Sequence, residues 1–386
     1  MIRLLHTSDW HLGRFLYGKS LIEDQAFALD RLVELIDRVK PHALLIAGDL
    51  FDRPLPPESA ITLFDDFLNR IAGERRLPVL LIPGNHDSCE RLGFASQLLR
   101  ERGVTIFSRV EDAFTPIAIR GDNGAEALVY GIPFVEPVVV ARALKQPKFE
   151  TPDEATRALC RELLEKKTCA RPAVLLCHAF VAGGEVSDSE KEIFIGGSSH
   201  VSHSAFQGFA YTALGHLHKP QRAGDERVRY SGSLLPYSKS EVGHEKAVLE
   251  IHLTSASELT VNQHSLPCLR DLRYVEGELA ELIANASEDA KRDDYVIAGF
   301  TDKGAVLDAY LRLRGVYPNL LHVSRAGGYQ PEESPALSRK RERESLSELE
   351  LFTEFFHAST GADLDASERS ALIEAIAELE REERVG

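Results

Sequence analysis

The sequence predicts an α/β fold, with a mixed sheet or two packed sheets covered by helices and a small second domain after it. Three observations carry that expectation. Over the first two-thirds of the 386 residues, short apolar runs of strand length alternate with amphipathic helical patterns. The runs stop at Gly or polar residues, as strands buried on both faces do. From about Arg270 the rhythm changes to strand, helix, strand, helix, strand.

Taken in order, residues 2–6, 43–47, 78–82, 173–177 and 211–214 read as buried strands. Residues 21–39 place Ile22, Ala26, Leu29, Leu32, Val33 and Ile36 on one helical face. Residues 58–72 repeat the pattern with Ile61, Phe64, Leu68 and Ile71, and Phe67 and Leu68 make that helix more apolar than one face needs. Strands at 128–132, 228–231, 247–253 and 259–264 complete a first domain over residues 1–269. A small domain over 270–326 holds strands at 272–276, 295–300 and 320–323, with helices near 279–290 and 305–314. The run GGYQPEESP opens a linker over 327–344. Two amphipathic helices, 347–357 and 366–383, fill the last segment, 345–386, and Asp365 with Glu368 has the spacing of a capping box.

Composition removes several function classes. No apolar run approaches the ~18 residues that cross a bilayer, and residues 1–11 reach ionisable groups by His6, without the apolar stretch of a secretory signal. A cytoplasmic protein is expected. Five scattered cysteines without a CxxC pair suggest neither a disulfide framework nor a zinc ribbon. The net charge of −15 argues at first sight against nucleic acid. Its distribution answers the objection, because residues 1–269 carry 30 basic and 35 acidic groups and the last 48 residues carry 7 and 13. Two bound divalent cations would nearly cancel the excess of the first region.

The chemistry follows the strands. Residues 2–6 run into Asp9-Trp-His11, 43–47 into Gly48-Asp49-Leu-Phe-Asp52, 78–82 into Gly84-Asn85-His86-Asp87, 173–177 into His178, and 211–214 into Gly215-His216-Leu-His218. Ligands gather at the carboxyl ends of strands in α/β sheets, so these residues are expected to meet. Any one His after a strand is commonplace, whereas five such endings together are not. Asp9, His11, Asp49, Asn85, His178, His216 and His218 form a thiolate-free N/O set that exceeds one tetrahedral site. With one shared carboxylate it fits two ions, and hard imidazole and carboxylate donors suit Mn²⁺, Mg²⁺, Fe or Zn²⁺, of which Mn²⁺ is expected.

The ordered set D-x-H, G-D-x-x-D, G-N-H-D, a single His and G-H-x-H resembles the calcineurin-like metallophosphoesterase superfamily. Within it SDWHLG (8–13), GDLFD (48–52), GNHDS (84–88), ALGHLHKPQ (213–221) and YSGSLLPYS (230–238) are similar to the SbcD-type nuclease subunits. The likeness extends through the small domain to LSELELF (346–352). Protein phosphatases of the superfamily share G-D-x-x-D-R but continue with Gly and with G-N-H-E, where Pro54 and Asp87 stand here. The resemblance implies a sandwich of two mixed sheets flanked by helices, a small α+β capping and DNA-binding domain, and C-terminal helices that engage an SbcC-type coiled-coil ATPase. It also implies a homodimer through helices near 58–72, and a metal-dependent double-strand 3′–5′ exonuclease and single-strand endonuclease of DNA repair, recombination and replication. Carried over, Asp9, His11, Asp49 and His218 would hold one metal and Asp49, Asn85, His178 and His216 the other. His86 would stabilise charge at phosphorus or protonate the leaving 3′ oxygen, Asp87 would orient it, and Asp52 would stand behind the ligands.

Two other readings compete. Gly13 to Ser20 satisfies G-x-x-x-x-G-K-S, the P-loop pattern of an NTPase, but the preceding strand ends too early and Arg-Phe-Leu-Tyr is a bulky phosphate cradle. In that segment Lys19 is expected to touch a DNA phosphate instead. The other reading is a DNA-end-binding or tethering subunit whose catalysis is secondary.

Overall fold

The structure, a computed structural model, describes residues 1–190, 200–302, 306 and 308–325. The linker and the two helices expected beyond residue 326 lie outside the described residues. In chain order the first elements are β1 (Ile2–Thr7), β2 (Phe15–Leu16), β3 (Lys19–Ser20), α1 (Ile22–Val39), β4 (Ala43–Ala47), α2 (Glu58–Leu68) and β5 (Val79–Ile82). Next come α3 (Cys89–Leu92), α4 (Ser96–Arg100), β6 (Val104–Ile106), β7 (Ile117–Arg120), β8 (Glu126–Ile132), α5 (Pro137–Ala143) and α6 (Pro152–Glu165). They are followed by β9 (Ala173–His178), β10 (Tyr211–Gly215), β11 (Gln221–Ala223), β12 (Asp225–Tyr230), β13 (Ala247–Leu253) and β14 (Leu259–Ser265). The small sheet region holds β15 (Leu272–Gly277), α7 (Leu279–Ala286), β16 (Tyr295–Phe300), α8 (Ala309–Arg314) and β17 (Leu320–Arg325).

Two six-stranded sheets resolve the alternative left by the sequence. One has the order β14-β13-β1-β4-β5-β6 and the other β11-β12-β10-β9-β8-β7. In each, four parallel strands form one contiguous block, with antiparallel β13 and β14 on the first and antiparallel β7 and β11 at the edges of the second. Alternate residues separate the layers, as the two-residue period of a strand requires. Leu4, Leu45, Leu80 and Ile251 meet Val129, Val174, Leu176 and Ala213 between the sheets. Leu5, Leu44, Ile46 and Leu81 turn the other way onto α1 and α2, while Leu175, Cys177 and Leu214 turn onto α5 and α6. Being covered on both faces is why the central parallel strands β4, β5 and β9 are nearly all apolar.

Two expectations are corrected, and the P-loop pattern that the sequence argued against takes another form. The helix expected over 58–72 runs as α-helix only to Leu68 and finishes as a π-helical turn, Asn69–Glu74. Its buried stripe is Ala60, Phe64, Phe67 and Ile71, and Ile61 lies 50% exposed. The P-loop pattern forms no phosphate cradle. It folds as the β2–β3 hairpin, with Phe15 opposite Ser20 and Leu16 opposite Lys19 across a turn in which Tyr17 and Gly18 both have positive φ. Tyr17 stacks on His322 and Lys19 Nζ reaches Asn319 Oδ1 at 3.3 Å, so the hairpin leans on the small sheet. Finally, α5 and α6 stand where no element was expected. Pro137 and Pro152 occupy the first turns, and the Thr151 hydroxyl accepts from Glu154 N–H as an N-cap. The β-branched run Val138–Val139–Val140 disguises α5, two of whose valines are exposed.

Residues Met1–Val323 form one compact unit. Within it, Asp24 of α1 accepts from Arg270 Nη1 at 2.9 Å and from the Tyr295 hydroxyl at 2.6 Å, and Glu23 accepts from Arg270 Nη2 at 2.8 Å. Asp24 is 1% exposed, so this lock is buried on the α1 side. All five cysteines are free thiols. Among the described residues no helix is long and apolar enough to cross a membrane.

Candidate metal centre

All seven expected ligand residues stand at the carboxyl ends of five parallel strands, three in one sheet and two in the other. Asp9 and His11 follow β1, Asp49 follows β4, Asn85 follows β5, His178 ends β9, and His216 and His218 follow β10. Six of the seven are at most 5% exposed, and Asn85 is half-buried. The ligand atoms of five of them and of His86 fall into overlapping groups within 4.8 Å of one another: Asp9, His11 and His218; Asp9, Asp49 and His178; and His11, Asp49 and His86.

The loops are held by side chains that local pattern does not reveal. Gln25 of α1 donates to the carbonyls of Trp10 and His11 and accepts from Gly13 N–H, clamping the turn after β1. Asp87 accepts from the N–H groups of Leu50, Phe51 and Gly84, each at 2.9 Å, tying the β4 loop to the β5 loop. Asp9, His11, Asp49 and His216 all have positive φ, a strain that persists where surrounding contacts over-determine the backbone. Two glycines admit the crowding. A Cβ on Gly84 would meet Asp49 Oδ1 at 2.2 Å, and one on Gly215 would meet the Ala47 carbonyl oxygen at 1.8 Å.

Asp49 lies centrally. Its Oδ2 is 3.7 Å from His11 Nε2 and 3.5 Å from His178 Nε2, and its Oδ1 accepts from His86 N–H at 2.8 Å. Burial lowers the affinity of His11, His178, His216 and His218 for a second proton, that of His178 to a pKa of about 4, so these imidazoles are neutral at pH 7. Burial first, and the Asp49 charge second, hold the Asp9 carboxyl well above its usual range. The same two causes push Asp87 up to about 6.

This electrostatic arrangement fits cations. Neutral His178 donates Nδ1–H to the Ala47 carbonyl at 2.9 Å, which leaves a lone pair on Nε2, yet Nε2 faces Asn85 Oδ1 at 2.9 Å. The Nε2 atoms of His11 and His218 face each other at 3.1 Å. His11 Nδ1 is buried without a hydrogen bond, 3.6 Å from Asp52 Oδ1. The lone pair of His178 Nε2 opposed to Asn85 Oδ1, beside two buried carboxylates, is relieved by positive charge between them. An N/O set of this kind suits two divalent ions.

His86 is 4% exposed, and its Nδ1 lies 2.7 Å from the Asp52 carbonyl oxygen. The orienting bond expected from Asp87 therefore comes from the Asp52 backbone, because the Asp87 carboxylate is engaged by three backbone amides. Asp52 itself lies 3.6 Å from His11 Nδ1 through Oδ1 and pairs with Arg14 Nη1 at 2.9 Å. Sequence reasoning did not find Ser189, Glu190, Glu241 or Lys246, which surround His218. Its backbone N–H donates to Glu190 Oε1 at 2.7 Å, and its Nδ1 lies 2.8 Å from Ser189 Oγ and 3.1 Å from Glu241 Oε1. The motif YSGSLLPYS ends three residues short of Glu241, and that proximity is the only signal the sequence offered.

Two family models match this chain: calcineurin-like phosphoesterase over residues 2–220, and SbcD_C, described as the type 5 capsule protein repressor C-terminal domain, over residues 268–360. Among solved structures, TT1561 of Thermus thermophilus is similar at 18% identity, covering 68% of this chain and 98% of that one, with a TM-score of 0.39. A dimetal phosphatase from Danio rerio matches at 12% identity over 68% and 99%, with a TM-score of 0.39. Yfce, a phosphoesterase from E. coli, matches at 13% identity over 69% and 100%, with a TM-score of 0.28.

Proposed function

Because this chain belongs to the calcineurin-like phosphoesterase family and carries an SbcD-type C-terminal domain, we propose that it is the nuclease subunit of an SbcCD-type complex, a metal-dependent phosphodiesterase acting on DNA. In this reading it is a double-strand 3′–5′ exonuclease and single-strand endonuclease. The observation that carries it is Asp49 Oδ2 between His11 and His178, with His178 Nε2 opposed to Asn85 Oδ1 on one side and the Nε2 atoms of His11 and His218 converging on the other. Asp9, His11, Asp49 and His218 would hold one ion, and Asp49, Asn85, His178 and His216 the other. Two divalent ions, Mn²⁺ by preference, would supply charge neutralisation at phosphorus and a water acidic enough to attack near pH 7.

The chain's own residues do the rest. Asp49 sets the separation of the two halves of the site. The Asp52 carbonyl, accepting from His86 Nδ1, aims His86 Nε2 at the phosphodiester. There a protonated imidazole stabilises the phosphoryl charge, or gives its proton to the 3′ oxygen as the P–O bond breaks. Asp87 keeps the β4 and β5 loops in register while this happens. No covalent nucleophile is required.

The exposed apolar Ile61 of α2 supports a homodimer contact through this helix. An SbcC-type ATPase would dock the segment beyond residue 345, and the work would be cytoplasmic. End-labelled duplex and single-stranded DNA, incubated with Mn²⁺, Mg²⁺ or a chelator, tests the activity. Metal-dependent shortening of duplex from the 3′ end and cutting of single strands are expected; binding of DNA without cleavage under any metal would favour the tethering role instead.

A further inference from the structure

A pair of opposite charges is buried behind His218. Glu241 and Lys246 have side chains 0% and 1% exposed, and Lys246 Nζ donates to Glu241 Oε2 at 2.5 Å. Lys246 also donates to the His218 carbonyl at 3.1 Å and lies 2.9 Å from Ser233 Oγ. Glu241 Oε1 accepts from the Ser189 hydroxyl and lies 3.1 Å from His218 Nδ1. An ion pair so enclosed contributes little net stability, because desolvation offsets the attraction. Its placement is more telling, since it grips one histidine by both its ring and its own backbone.

We propose that the Glu241–Lys246 pair is a positioning device for His218: it keeps the imidazole proton on Nδ1, so that Nε2 always presents a lone pair toward the space it shares with His11. A carboxylate only accepts, so the proton between Glu241 and the imidazole belongs to Nδ1. The Ser189 hydroxyl is already committed as donor to Glu241 and cannot donate to Nδ1 as well. Lys246 holds the carboxylate ionised by charge and the histidine backbone by a hydrogen bond, so ring and main chain move together. His178 achieves the same tautomer with a neutral partner, the Ala47 carbonyl. The two halves of the centre are therefore supported differently, one by backbone and one by a removable ion pair. The proposal rests on the reading that His218 is a metal ligand, and it makes Glu241 and Lys246 determinants of only one of two sites.

The test uses the full chain, stripped of metal and titrated with Mn²⁺ alone. Removal of a group that orients a ligand histidine typically weakens metal binding 10–100-fold. Glu241→Gln, whose amide can donate to Nδ1 and reverse the tautomer, is expected to weaken one of two Mn²⁺ sites by that factor and leave the other unchanged. Glu241→Asp should recover part of the loss. The double variant Glu241→Gln, Lys246→Met removes both charges and guards against misfolding from an unpaired lysine; it should show the same single-site loss. The unaltered metal-free chain supplies a readout that no substitution can confound: ¹⁵N-histidine spectra should show His218 protonated on Nδ1. Two unweakened Mn²⁺ sites in the folded variants, or His218 protonated on Nε2 in the unaltered chain, overturns the positioning role. An unaltered chain that binds no Mn²⁺ at all overturns the metal reading and this proposal with it.

Discussion

His86 shows how much one side chain carries. It follows Asn85 in the β5 loop, donates its backbone N–H to Asp49, and has Nδ1 fixed by a carbonyl. A general acid or charge-stabilising group contributes 10² to 10⁴ in rate. His86→Gln should therefore lower DNA cleavage about 10² to 10⁴-fold while two Mn²⁺ and DNA still bind; single-turnover cleavage beside equilibrium metal binding measures both. Asp49→Ala should differ in kind, losing metal and cleavage together with circular dichroism unchanged, because the Asp49 Oδ2 atom lies within 4 Å of Nε2 of both His11 and His178. Residues of this class were legible because ligand atoms had to appear at strand ends in recognisable spacing. Glu241 and Lys246 were not, since a 3₁₀ turn and the start of β13 bring them to His218 by tertiary contact alone. The Asp87 assignment failed for a related reason: adjacency in sequence suggested a partner for His86, whereas the backbone amides of Leu50, Phe51 and Gly84 occupy the same oxygens.

At the scale of elements, buried parallel strands were the most readable part, because solvent touches neither face and their composition is nearly all apolar. Helices were read less well where local chemistry misleads, as the valines of α5 do. In α2 the expected face rotated: Phe67 took the core position and Ile61 was released to the surface, a choice made by the partner layer and invisible to periodicity. The tie between α1 and the small sheet is the element-level contact with the clearest energetic consequence. Asp24→Ala leaves Arg270 and the Tyr295 hydroxyl short of a buried acceptor, and the partial exposure of Arg270 lets water compensate in part. A stability loss of about 1–3 kcal/mol is expected, read as a lower urea midpoint with metal binding retained.

For the whole molecule, the chain joins two kinds of region. The sandwich that holds the candidate centre was legible in outline, and the number of its sheets was not, because periodicity cannot say which strand pairs with which. The segment beyond residue 345 carries Leu349, Phe352, Phe356, Leu372, Ile376 and Leu379 at helical spacing, and the SbcD_C match reaches residue 360. Fewer than ~50 residues without metal or disulfide rarely sustain a core alone. A chain truncated after Ser338 should remain folded, keep metal-dependent cleavage, and lose co-purification with an SbcC-type ATPase; complex formation at full yield would assign the docking surface to the sandwich or the small sheet.

The central claim is that five strand ends build one two-metal phosphodiesterase site around Asp49. Anomalous diffraction from crystals of this chain soaked in Mn²⁺ tests it most directly. Two peaks about 3.5–4 Å apart are expected, the spacing of two-metal phosphodiesterase sites, one against Asp9, His11 and His218, the other against Asn85, His178 and His216, with Asp49 touching both. A single peak, or two peaks that leave Asp49 without a contact, would contradict it.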